Sequence, residues 1–327
     1  ATATFRLQNQ PMQSSIFGVN DTPYCLWEAD LAARTHFFLD GIDPDYFDYV
    51  LQTHLNAEDE KRALVAIKLS LHHAIETMFS LLGALVQAPD CPYAWIAKCS
   101  NTDLREFAER VRKKDSSLIT KLNIPSISWA SIANLVYTTY QPGTERQKNT
   151  VECFGRFWDA LTAELVTSKN NDEYNAFKHG FRARPGGFTL AVGIESKDGT
   201  PPSDYEMQIV GKSDFGATFF TIETLGSAKP RVHIRSRRTS LNWSFERIIL
   251  LHQLVHMSIH NVVSALKVVN NYSPDTCSFI RPENDTDFEQ PWTHGSGATS
   301  MSFDAVLDER RLPKITKEEL LCKLRAQ

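Results

Sequence analysis

At 327 residues, with 42% hydrophobic and 23% charged residues, the chain has material for one large or two modest domains with a real core. Its formal net charge of -4 excludes a global attraction to nucleic acid, so any such binding must use a local basic patch. The six cysteines (Cys25, Cys91, Cys99, Cys153, Cys277 and Cys322) form no Cys-x-x-Cys pair and match no zinc module, and they read as reduced core thiols of a cytoplasmic protein.

Residues 1–20 lack the apolar block of a signal peptide, and no stretch approaches the roughly 18 uninterrupted apolar residues of a membrane span, so no membrane partner is expected. Residues 1 to about 40 are mixed in pattern, with a turn at Asp21-Thr22-Pro23. Asp43-Pro44-Asp45 reads as a helix start, with proline at the first position and acids at the positive end of the dipole. From Glu58 to Val86 the residues Leu64, Ile67, Leu71, Ile75, Met78, Leu82 and Leu85 recur at three- and four-residue steps, which predicts a long helix stopped by Pro89 and Pro92. A further helix is predicted from Asp103 to about Lys113, and Ser128 to Tyr140 is helical or irregular before the break at Gln141-Pro142-Gly143-Thr144.

Thr144 to about Lys178 predicts one long helix, or two separated near Lys169-Asn170-Asn171, ended by Gly180. The period then changes. Phe188–Glu195, Glu206–Gly211, Ala217–Thr224 and Arg231–Ser236 are short β-branched and aromatic runs joined by turn residues, which predicts an antiparallel meander. A last long helix is predicted from Ser244 to Val269, followed by a polar stretch with a short terminal helix from Thr316 to Leu324. The expected fold is mainly α (α+β): a long-helix bundle carrying an inserted small antiparallel β-meander. The chain divides into an N-terminal segment packing on the body (1–57), a first part of the bundle (58–187), the meander (188–240), a second part of the bundle (241–270) and a polar C-terminal extension (271–327). In this reading the polar run described next falls where bundle and meander meet, a favoured place for a cleft.

Three constellations carry chemistry. The first is the run Tyr174-Asn175-Ala176-Phe177-Lys178-His179-Gly180-Phe181-Arg182. Asn175 and His179 share a helix face one turn apart, and Lys178 and Arg182 add cations beside them. The bland reading is helix-end chemistry, with basic residues complementing the negative end of the dipole. The functional reading is a site where His179 titrates and Lys178 or Arg182 holds an anion. The second is the alternating stripe Arg231, His233, Arg235 and Arg237, whose side chains leave one face of a strand. It is either a solvated outer face or a surface that tracks phosphates. The third is the ladder His252, His256 and His260, spread over roughly 80 degrees of a helix. It reads as three boundary histidines or, as a weak alternative, as metal ligands completed by His72, His73 or Glu76. No Glu-x-x-His pairing of the di-iron bundles accompanies it, and no metal or other cofactor is expected. A loop at His294-Gly295-Ser296-Gly297 has the composition of an anion cradle and equally that of a mobile tail.

An asparagine followed four residues later by histidine, late in a helical bundle, resembles the motif of the HEPN superfamily, in which arginine precedes the polar residue. Asn175 and His179 match, and Tyr174 stands in the arginine's place. Arg247 and His252 repeat the arginine-to-histidine spacing, but with apolar residues between them. The resemblance covers residues 58 to 269, with the meander as an insertion. It implies an RNA-binding protein, as a metal-independent RNA endonuclease of defence or toxin type or as a non-catalytic binding module, working as a homodimer on RNA. His179 would be the general acid–base, Asn175 would position the phosphate, and Lys178 and Arg182 would stabilise its charge. The Arg231, His233, Arg235 and Arg237 stripe would track the strand.

Overall fold

The computed structural model describes residues 12–122, 124, 126–179, 182–195, 199, 202–203, 207–225, 232–295, 297–303, 308, 311–313 and 315–326. The chain forms two compact units, 1–170 with 246–294, and 171–245 with 295–327. The expected domain borders therefore move. Residues 171–187 and the end of the chain belong with the sheet, while 271–294 belong with the helices.

The first unit opens on an antiparallel hairpin, β1 (Gln13–Val19) and β2 (Thr22–Glu28), in the segment whose pattern gave no assignment. Its two-residue turn includes Asn20 at φ 52°, a left-handed conformation that asparagine tolerates. The helices α1 (Leu31–Asp40), α2 (Tyr46–Leu55) and α3 (Glu60–Gln87) follow, the first and third capped by Asp30 and Asp59 side chains on the backbone N–H three residues on. Pro92, expected to mark the stop of α3, is instead the first residue of α4 (Pro92–Lys98), where its missing N–H costs nothing. Capping boxes Ser100/Asp103 and Ser128/Ser131 start α5 (Asn101–Arg112) and α6 (Trp129–Val136). The helix α7 (Glu145–Val166) ends at Thr167, whose extended backbone (ψ 122°) separates it from α8 (Ser168–Lys178), so the long segment is two helices.

In the second unit, α8 leads to β3 (Ala183–Pro185), β4 (Thr189–Val192), β5 (Gln208–Lys212), β6 (Gly216–Thr224) and β7 (Ile234–Asn242). The helix α9 (Phe245–Val269) returns to the first unit with α10 (Gln290–Thr293), and β8 (Ser300–Phe303) and α11 (Lys317–Arg325) complete the second. The expected single meander is two antiparallel sheets: β4 pairs with β5 alone, and the other is ordered β3-β6-β7-β8. Two of its strands, β3 and β8, are contributed by segments that carry no β-periodic pattern. The expected turns at 196–198, 200–201 and 226–231 lie outside the described residues, as does Gly180.

The core of the helical unit is aromatic. Trp95, Phe107, Trp129, Phe79 and Trp158 form a chain of edge contacts, and Tyr137, Phe154 and Phe288 extend it. Each fully buried ring contributes roughly 1.5–3 kcal/mol by removing apolar area from water. Gly83 lets the Trp95 ring approach α3, since a Cβ there would lie 2.3 Å from the ring. Both α3 and α9 are long and apolar enough to cross a membrane by length and composition, and most of each such stretch is packed inside this unit. All six cysteines are free thiols. Only Cys91 and Cys153 are buried, so the expectation of core thiols fails for Cys25 and Cys322, which are exposed.

Candidate functional site

The run 174–182 lies within the second unit. Its helix is fixed from the inside: Glu173, buried, accepts the Trp243 indole N–H at 2.6 Å, and the Phe177 ring packs 6.2 Å from the same indole. With Glu173, Ala176 and Phe177 turned inward, the helical period leaves Lys178 and His179 in solvent, with Asn175 at the edge of the exposed face. The chain closes over the helix end by backbone bonds from His179 N–H to the Asn175 carbonyl (3.0 Å) and from Arg182 N–H to the Ala176 carbonyl (2.8 Å). The Arg182 guanidinium donates to that same Asn175 carbonyl at 3.4 Å. Lys178 lies over the Tyr174 ring, 5.2 Å from its centroid. Among the described residues no carboxylate pairs with Lys178, His179 or Arg182, so Lys178 and Arg182 stand at the negative end of the helix dipole without a described ion-pair partner.

The basic stripe behaves differently. Arg235 and Arg237 do share a face of β7, but that face is half-buried, and both grip one carboxylate. The Glu223 side chain on β6 receives Arg235 Nε at 2.9 Å and Arg237 Nη1 at 2.6 Å. Asp172 lies in the same field. Burial raises its carboxyl above the usual range, Arg237 opposes that rise and Glu223 adds to it. The expected outward, phosphate-tracking stripe is therefore corrected: these arginines hold two strands together. His233 precedes β7 and is half-buried, its carbonyl accepting the Leu225 N–H, and Arg231 lies outside the described residues. The residues that decide this arrangement, Glu173 and Glu223, carried no sequence signal, because each matters through a partner far along the chain.

The histidine ladder does not converge. His252 is fully buried, its Nε2 3.0 Å from Ser70 Oγ on α3. His256 Nε2 faces Asp45 Oδ1 at 3.9 Å, and His260 Nε2 is 3.4 Å from Ser278 Oγ. Burial first, then the neighbouring His256, depresses His252 to about 4. Burial likewise lowers His260. Among the described residues no group of three His, Cys, Asp or Glu side chains could hold a metal ion, which corrects the weak metal alternative. His73 is exposed, with its ring against Phe47, and Glu76 accepts from Asn101 Nδ2 at 3.1 Å. Both line a cavity of about 380 Å³ with Phe38, Cys99 and Leu104. Arg247 is engaged by Glu164 (2.5 Å) and the Trp292 ring, so the Arg247–His252 spacing does not assemble a catalytic pair. The loop His294–Gly297 includes Ser296, which lies outside the described residues.

No family model, curated protein or solved structure matches this chain, so the reading of the site rests on its own residues.

Proposed function

We propose that this protein binds RNA through the cationic turn that ends α8 and cleaves it without a metal ion. One observation supports the reading above the others: Lys178, His179 and Arg182 are exposed together on one turn with no described carboxylate to neutralise them. In that reading a phosphodiester takes the place of the missing counterion, and Lys178 and Arg182 stabilise the charge that develops on it. His179 moves the proton, and Asn175, one helical turn back, fixes the phosphate's position. An imidazole needs a second acid–base group for a full transfer. A homodimer of the HEPN kind would supply it as a second copy of the same turn.

A non-catalytic binding module is the second reading, and one observation favours it. Tyr174 occupies the position of the motif arginine, and its ring takes Lys178. Incubation of the protein with a mixed RNA pool in the presence of a chelator, beside His179→Ala, separates the two. Fragments from the parent alone are the expected result. Binding without fragments establishes the module, and absence of both sinks the RNA reading altogether.

A further inference from the structure

The open face of the β3-β6-β7-β8 sheet is the reverse of the one that carries Arg235 and Arg237. The register places Phe220 opposite Arg238 and Arg238 opposite Phe303, a single row across three strands. Neighbouring strands lie about 4.8 Å apart, so the backbone positions of Phe220 and Phe303 are about 10 Å apart with Arg238 between them. Phe220 is 55% and Phe303 48% exposed, and the Arg238 guanidinium lies 4.7 Å from the Phe303 ring centroid. The adjoining row runs Arg184, Thr218, Ser240 and Met301. On the other side Ile222 and Ile234, 58% and 62% exposed, extend the apolar surface. The only acidic residue in these four strands is Glu223, and it belongs to the opposite face.

Resting on the RNA reading above, we infer that this face is a stacking platform for the bases of a single-stranded nucleic acid. Exposed aromatic rings interleaved with arginine suit unpaired bases, because every base offers a π-face and guanidinium planes stack as well. The charge is complementary: among the described residues of these strands no acid opposes Arg184 and Arg238 on the face. The turn bearing Lys178, His179 and Arg182 runs directly into the edge strand β3. A strand of nucleic acid gripped by phosphate at that turn would thus lay its bases on the sheet. A duplex hides its base faces and gains nothing from the rings. A second copy of the chain is less suited as occupant of this face, since both sheets would bring positive charge and no strand acid to the contact.

The test is fluorescence anisotropy with a labelled twelve-nucleotide single-stranded RNA and the duplex of the same sequence. The double variant Phe220→Ala/Phe303→Ala is compared with Phe220→Tyr and with Lys178→Ala/Arg182→Ala. The expected result is single-strand binding weakened about tenfold or more by the double alanine variant, near-parental binding by Phe220→Tyr, and at least tenfold weaker binding of the duplex by the parent. Circular dichroism and thermal melting of the double variant should match the parent, because both rings are half in solvent. Parental affinity in the double alanine variant, with loss in Lys178→Ala/Arg182→Ala, would overturn the platform and leave the RNA reading standing. No oligonucleotide binding by the parent, even at low salt, would overturn both. Dissociation of a dimer, or loss of binding to anionic vesicles, in the double variant of such a parent would then reassign the face to protein or lipid.

Discussion

The interior of the helical unit and the open face of the sheet break the usual partition of side chains in opposite directions. Inside the helical unit the side-chain amides of Gln87 and Asn261 are buried and supplied with partners, although the buried Trp129 indole N–H finds none among the described residues. Gln87 is fully buried; its amide N–H₂ donates to the Asn20 and Ile119 carbonyls, and its oxygen accepts from the Asn20 N–H and the Trp95 indole. Asn261, also fully buried, bonds the Tyr137 hydroxyl and both backbone groups of Ile280, tying the returning segment to α9. On the sheet, apolar rings and aliphatic chains face water. Buried polar groups with full hydrogen bonding specify one arrangement of a core. Exposed apolar area beyond what a monomer needs points to something that covers it. In the proposed reading the helical unit is the scaffold and the sheet unit carries the ligand surface.

The sharpest blow to this contrast would come at Gln87. Replacing it by alanine strands two buried donors and two carbonyls, and a loss of roughly 3–5 kcal/mol in stability is expected from denaturant unfolding. A loss below 1 kcal/mol would show that this interior tolerates unpaired polar groups.

His252 comes next. Its folded value of about 4 lies below the ordinary 6.5, so between those values the unfolded chain binds a proton that the folded chain refuses. The His252 contribution to stability should therefore be constant above pH 6.5, fall by roughly 3 kcal/mol as pH drops to 4, and level off below. Melting temperature against pH for the parent and for His252→Gln measures this, since the variant should lose that part of the slope. A parallel slope in both would place the titration elsewhere.

On the sheet, Ile222→Ser should change stability by no more than about 0.5 kcal/mol, since the side chain is already in water. A drop of 2 kcal/mol would mean that the face is part of a core. The smallest effect concerns salt. If Lys178 contacts a phosphate, Lys178→Ala should reduce the slope of log K against log salt for RNA by about 1, while Arg235→Ala, whose charge is held by Glu223, should leave the slope unchanged. Equal slopes for parent and Lys178→Ala would remove the turn from the interface.

Much of the fold was legible because its signals are local. The apolar period of α3 and α9, the break after Gln141 and the turn at 212–216 between β5 and β6 are set by residues within a few positions of one another. The hairpin β1–β2 was not legible. Its strands carry apolar residues on both faces: Ile16 and Trp27 are exposed while Phe17 and Val19 are buried. Of the candidate site, the polar turn at 174–182 was visible as a cluster of residue types, and tertiary structure added that no described carboxylate pairs with Lys178 or Arg182.

Sequence alone determined that β7 alternates, with Arg235 and Arg237 on one side and Ile234 and Arg238 on the other. Which side faces solvent was decided by Glu223 on β6, by the burial of Phe219 and Leu241, and by the pairing of β8 with β7. A period of two fixes that the faces differ but not which one is inside. That choice belongs to cross-strand partners distant in the chain, and it moved the candidate nucleic-acid surface from the arginine stripe to the ring-bearing face behind it.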